Sequence, residues 1–200
     1  MNIVDIKAES RDLKRKASSV RAEGKIPAIL YGGPEQVAFS TTHNDVKAAV
    51  YTPDFKLTEL DIDGKKYKSI VKSVQFHPVT DAIEHIDFLE IEDGRPVKVE
   101  IPVRFKGVSP GVKSGGKLIQ SIRKIKVKAD PVNLVDELFI DISQLELGFS
   151  VRIKDIQVPE GIEILMNPAI PVAIVEVPRA LKSAAAKEET AAAATPATEE

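Results

Sequence analysis

The chain has 200 residues, no cysteine and no tryptophan, and only 5% of it is aromatic. Without cysteine there can be no disulfide, no thiol nucleophile and no cysteine-ligated zinc, a composition that suits a reducing compartment. Long hydrophobic runs are also missing. No stretch approaches the roughly 18 apolar residues of a membrane-spanning helix, and the opening "MNIVDIKAESRDLKRK" lacks the apolar segment of an export signal. These absences point to a cytoplasmic protein with no membrane partner. Neither sign of charge dominates: 28 Lys/Arg against 30 Asp/Glu leave a net charge of −2, so total charge does not point to nucleic acid. There is no Gly-x-Ser-x-Gly turn to raise a nucleophile. The three histidines, His43, His77 and His85, form no ligand-spaced cluster, so neither a metal nor a cofactor is expected.

What the chain does have is charge in islands. Residues 1–25 hold seven Lys/Arg against four acids, and residues 101–129 hold eight Lys/Arg and no acid at all. Hydrophobic residues, at 43%, are enough for one or two folded domains.

Residues 1–92 read as one α+β domain, a small sheet or barrel with a few helices. "NIVDIKAE" alternates like a strand. "ASSVRAEGK" reads as a short helix, capped by Ser18 or Ser19 and ended by Gly24. "IPAILYGG" reads as a buried strand. "TTHNDVKAAV" is a helix in which Thr42 and Asp45 have capping-box spacing and Val46, Ala49 and Val50 share a face. Asp63-Gly64 marks a hairpin, and a strand over 84–91 closes the segment. After "EDGRP" the pattern turns to short strands in residues 93–178, an all-β domain of sandwich or barrel type. "SPGVKSGGK", 109–117, reads as a long, flexible, basic loop. The Ala/Glu-rich residues 179–200 carry too little apolar surface to offset the entropy of ordering and are expected to be a disordered tail.

Two groups of residues carry possible chemistry. In "EHIDF", His85 and Asp87 lie two apart on a strand and so face the same way, while Ile86 and Phe88 turn inward. Such a pair is a set of solvated strand residues, a polar recognition face, or part of a catalytic pair that lacks an evident nucleophile. Gln75 and His77 share strand parity around Phe76, which reads as buried. The second group is the basic island of Arg11, Lys14, Arg15, Lys16 and Arg21, either a solvated charge run or a phosphate-contacting loop. Tyr31, ahead of two glycines, either stacks on a base or sugar or caps the core. Cations, an aromatic ring, an amide and a His/Asp pair in one small domain suit RNA recognition better than catalysis.

"RAEGKIPAILYGG" and "KSVQFHPVTDAIEHIDFLEI" closely resemble the two signature stretches of a bacterial large-subunit ribosomal protein family. It is the twenty-fifth type, in its long form also called general stress protein Ctc. The resemblance spans residues 1–178. It implies a non-catalytic component of the 50S subunit that binds 5S ribosomal RNA in the central protuberance, beside neighbouring ribosomal proteins, and is a monomer when free. It also implies a first domain similar to the anticodon-binding domain of a glutaminyl-tRNA synthetase. The site implied comprises Arg11, Lys14, Lys16, Arg21, Tyr31, Gln75, His85 and Asp87. Family members often carry a Gly-Lys-Gly loop and consecutive arginines where this chain reads "RDLKRKASSVR", so that Lys14, Arg15 and Lys16 supply charge from shifted positions. A tRNA-binding protein and a hydrolase built on His85 and Asp87 are the alternatives.

Overall fold

Alternation along the first residues does produce a strand, β1 (Ile3–Ser10), with Ile6 fully buried in a computed structural model of the chain. The structure describes residues 3–12, 14–92, 94–159 and 161–178; the expected disordered tail lies outside them. By backbone proximity the chain divides into two units. One holds the described residues up to 102 with 126–137 and 158–165; the other holds 103–125, 138–157 and the described residues from 166 on.

In the first unit, β1, β2 (Lys25–Tyr31), β3 (Val37–Thr42), β4 (Leu57–Ile62), β5 (Lys65–Phe76) and β6 (Ile83–Glu90) close into a barrel of order β1-β3-β2-β6-β5-β4. Inward positions set the core. Ile26, Ala28 and Leu30 alternate along β2, and Ile86 and Phe88 along β6. The Phe39 and Phe88 rings meet at 5.6 Å inside the barrel. Asp63-Gly64, with φ of 51° and 86°, makes the tight turn between β4 and β5, as its dipeptide signal predicts. Pro27 pairs with Ser40 on one side, while the ladder to β6 starts only at Ala28, so its missing N–H interrupts no bond there. The buried pair Thr58 and Ser69 satisfies itself: Thr58 Oγ1 lies 2.9 Å from the Ser69 carbonyl oxygen and 2.8 Å from Ser69 Oγ.

Two short helices dress the barrel. In α1 (Ala17–Ala22), Val20 is buried and Gly24 follows with φ 76°, but the cap position falls to Lys16, with no side-chain cap. Ser18 and Ser19 lie inside the helix rather than capping it. α2 (His43–Val50) buries Val46 and packs Ala49 and Val50 on the core, as its periodicity predicts. Thr42 and Asp45 have capping-box spacing but bond to each other at 2.5 Å instead of to the backbone. The sequence reading missed β3 because "VAFSTT" is buried at three successive positions, Phe39, Ser40 and Thr41, which hides the alternation.

Beyond residue 96 the chain is almost all β, so the α+β barrel followed by an all-β region agrees with the fold class read from the sequence. β7 (Val97–Lys106) alternates over its first half and pairs in parallel with β10 (Leu138–Asp141) over Val103–Lys106. β9 (Lys124–Ala129) pairs with β12 (Ile162–Ile164), and β8 (Lys117–Gln120), β13 (Pro171–Glu176) and β11 (Ser150–Arg152) form a three-stranded sheet. "SPGVKSGGK" is not a long flexible loop. Ser109 is buried, caps a short helix, α3 (Pro110–Lys113), and bonds to the Leu145 carbonyl. Gly111 packs so closely that a Cβ would meet the Glu146 carbonyl carbon at 2.7 Å. Gly111 and Gly116 serve close packing rather than mobility.

Phe88→Ala should cost about 3–5 kcal/mol in urea unfolding, because it empties the barrel centre, whereas exposed Phe76→Ala should cost less than about 1 kcal/mol.

Candidate nucleic-acid interface

The polar residues of "EHIDF" stand on the outside of the barrel because Ile86 and Phe88 take the inside. His85 Nδ1 and Asp87 Oδ1 are 2.8 Å apart. With Nδ1 donating to the carboxylate, Nε2 points away as an acceptor in the neutral ring and a second donor in the charged one. Register then adds neighbours. Gln75 pairs opposite His85, and Ser73 opposite Asp87. Two register shifts in β5, one between Val71 and Ser73 and one between Gln75 and Phe76, bracket these residues. Such irregularities re-aim side chains locally. Ser73 was not singled out from the sequence, although its parity with Gln75 was visible.

Across β6 the row continues. Asp87 is level with Ile29 on β2, Ile29 with Ala38 on β3, and the Ala38 carbonyl accepts the N–H of Arg11 at 2.9 Å. Three strand steps, half the circumference of the six-stranded barrel, therefore lie between Asp87 and Arg11. Arg11 is half-buried, and its Nε has no hydrogen-bond partner. Packing holds that guanidinium while leaving donor capacity unspent. Tyr31 lies two residues beyond Ile29 on the same face. Burial, reinforced by the charge of Asp87, pushes the Tyr31 phenol above its ordinary range. It stays a neutral hydroxyl donor throughout the physiological range.

Helix α1 brings Arg21 to the edge of this face, where its Nε donates to the Glu84 carbonyl at 3.0 Å, one residue from His85. Lys14 and Lys16 are exposed in the turn before α1, and among the described residues neither has an acidic partner. Arg15 differs: it pairs with Glu23, and Lys25 pairs with Glu9. The fold thus neutralises part of the island and leaves Lys7, Arg11, Lys14, Lys16 and Arg21.

Two expectations are corrected. Phe76 is 44% exposed rather than buried, because the register shift at Gln75 places it at the strand end. His77 does not sit beside Gln75 on the strand. It opens a turn, where its Nδ1 accepts the N–H groups of Val79 and Thr80 at 3.3 and 3.2 Å. The acid-free stretch 101–129 is also less basic in space than in sequence. Lys126 lies 3.7 Å from Glu100 and Lys128 3.8 Å from Glu163. Among the described residues no group of three or more metal-binding side chains converges, and no helix is long and apolar enough to cross a membrane.

Residues 6–88 match the model of the Ribosomal L25p family, and residues 96–179 match that of the ribosomal protein TL5 C-terminal domain. The chain is 38% identical to the large ribosomal subunit protein bL25 of Bacteroides thetaiotaomicron over 193 residues, 93% of this chain and 98% of that one. It is 42% identical to the bL25 proteins of Cytophaga hutchinsonii, over 90% of this chain and 91% of that one, and Porphyromonas gingivalis, over 88% and 92%. Fold and similarities together define a ribosomal protein, a structural and non-enzymatic kind that binds ribosomal RNA. The chain belongs to the bL25 family of large ribosomal subunit proteins.

At the rim of the face, Glu90 sits over Gly33, and burial, with Glu92 adding repulsion, raises its carboxyl above the ordinary range. A raised carboxyl means the fold holds its proton more tightly than the unfolded chain does. Its ionisation therefore costs stability as pH climbs from the ordinary carboxylate range through the raised value. Glu90→Gln should stabilise the protein at pH 7 and make little difference at pH 4, read by urea unfolding at both.

Proposed function

We propose that this chain binds 5S ribosomal RNA as a structural part of the central protuberance of the large subunit, through the outer face of β5, β6 and β2. The observation that carries the reading is the polar cluster on the barrel's outside: a hydrogen-bonded His85–Asp87 pair opposite Gln75 and Ser73, with Arg21 held one residue away at the Glu84 carbonyl. Residues 1–92 hold this function, and 93–178 meet neighbouring ribosomal proteins or RNA.

Binding divides between two kinds of contact. Arg11, Lys14, Lys16 and Arg21 meet phosphates, giving attraction that weakens with salt. Gln75, His85, Asp87 and Tyr31 supply fit. Regular A-form RNA has a deep, narrow major groove that side chains cannot read, so the target is an irregular internal loop whose groove is opened. A carboxylate facing a polyanion needs donors, and Asp87 finds them in a 2′-hydroxyl or a base amine, with His85 fixing its orientation. Tyr31 contributes a neutral hydroxyl. The chain acts as a monomer before assembly, in the cytoplasm. The hydrolase alternative loses support from the position of His85 and Asp87 on the outside of a closed barrel.

For the full-length chain with 5S RNA, Asp87→Ala should weaken binding by more than about tenfold, roughly 1.4 kcal/mol, at unchanged salt dependence. Arg21→Ala should weaken binding and flatten the log-affinity against log-salt slope by about one phosphate contact. A wild-type chain that exchanges 5S RNA for tRNA with no preference in filter-binding competition would refute the assignment.

A further inference from the structure

A second exposed feature lies at the end of the barrel. His43 and Tyr51, at the two ends of α2, bring their rings to 5.7 Å, and Tyr51 meets Phe76, the last residue of β5, at 6.4 Å. Tyr51 is 50% exposed and Phe76 44%. In a chain with no tryptophan and few aromatic residues, a run of three neighbouring rings in contact with water calls for a physical account. The core does not supply one, because Val46, Ala49 and Val50 already seal this end of the barrel from α2.

We propose that His43, Tyr51 and Phe76 form a stacking platform for an unpaired base of the bound RNA; this rests on the RNA-binding reading above. Three observations favour a nucleobase over a protein side chain. Lys47, exposed on α2 one turn from His43, adds a cation to the aromatic face. Aromatic rings flanked by cations suit single-stranded nucleic acid, whereas the centres of protein interfaces are depleted in lysine. Two of the three rings are Tyr and His, which combine a flat face with a polar edge, as base stacking at a wet surface requires. Finally, Phe76 directly follows Gln75, so one step along β5 leads from the outer recognition face to the platform at the rim. An RNA whose paired region lies against His85 and Asp87 can turn an extruded base over this rim. Every nucleobase has a π-face, so the platform supplies affinity without reading sequence.

The test compares full-length wild type, Asp87→Ala, Tyr51→Phe and the double variant Tyr51→Leu/Phe76→Leu for 5S RNA affinity at two salt concentrations. Circular dichroism checks that each is folded, and ultraviolet cross-linking with peptide mapping locates the contact. The double leucine variant should lose about tenfold with an unchanged salt slope, Tyr51→Phe should stay within about twofold, and wild-type cross-links should map to Tyr51 or Phe76. If Asp87→Ala weakens binding while the double variant binds as wild type, the platform is overturned and the RNA-binding face stands. If wild type does not bind 5S RNA, the face falls and the platform with it. If the double variant binds RNA normally but fails to enter large subunits, the rings meet a protein neighbour and the stacking proposal is wrong.

Discussion

The position of β6 between β5 and β2 is the constraint on which the rest of the first unit depends. Its ladders run antiparallel to β5 and parallel to β2, and they close the barrel at the strand carrying both Phe88 and Asp87. Because successive residues of a strand face opposite ways, one set of backbone bonds fixes both the core and the polar face. Shifting β6 by one residue would send Ile86 and Phe88 into water and His85 and Asp87 into the core, at a cost of many kcal/mol in lost apolar burial and desolvated charge. The outer polar face is therefore set by the same pairing as the core behind it. A rigid face pays little ordering entropy on binding.

Charge in this molecule is decided by neighbours rather than by counts. Arg15 and Lys25 belong to the same basic island as Arg11 and Arg21, yet each folds against a glutamate, while Arg21 is anchored to a backbone carbonyl. In β9, Lys126 and Lys128 gain acidic partners from residues far off in the chain, Glu100 and Glu163. Exposed pairs of this kind contribute little stability, but they subtract from the field that an RNA would meet. Of the cations that remain, Lys14 and Lys16 lie before α1 and Arg21 within it, where Arg21 bonds to the carbonyl next to His85.

The same barrel separates two kinds of aromatic use. Phe39 and Phe88 fill the interior and supply stability, while Tyr51 and Phe76 touch each other at the surface and supply a flat face. Tyr31 falls between, half-buried beside Asp87, where burial and that charge push its phenol further up. A register shift at each end of Ser73–Gln75 lets one strand serve the core, the outer polar face and the rim in turn.

Much of this was legible from local pattern. Alternation marked β1 and β6, a buried apolar run marked β2, the Asp63-Gly64 pair marked its hairpin, and 3.6-residue spacing marked α2, because each depends on a side chain's own neighbours in the chain. The shared face of His85 and Asp87 followed from the same rule. Other features depend on residues distant in sequence. The exposure of Phe76 arises from a register shift against β6, the turn-bound state of His77 from the strand ending early, and the packed glycines of 109–117 from the approach of Glu146 and Leu147. The sequence by itself determined which residues of each strand would face apart. Tertiary structure alone decided which strands stand side by side, and so brought Arg11 level with Asp87, because cross-strand register comes from long-range pairing that no local periodicity encodes.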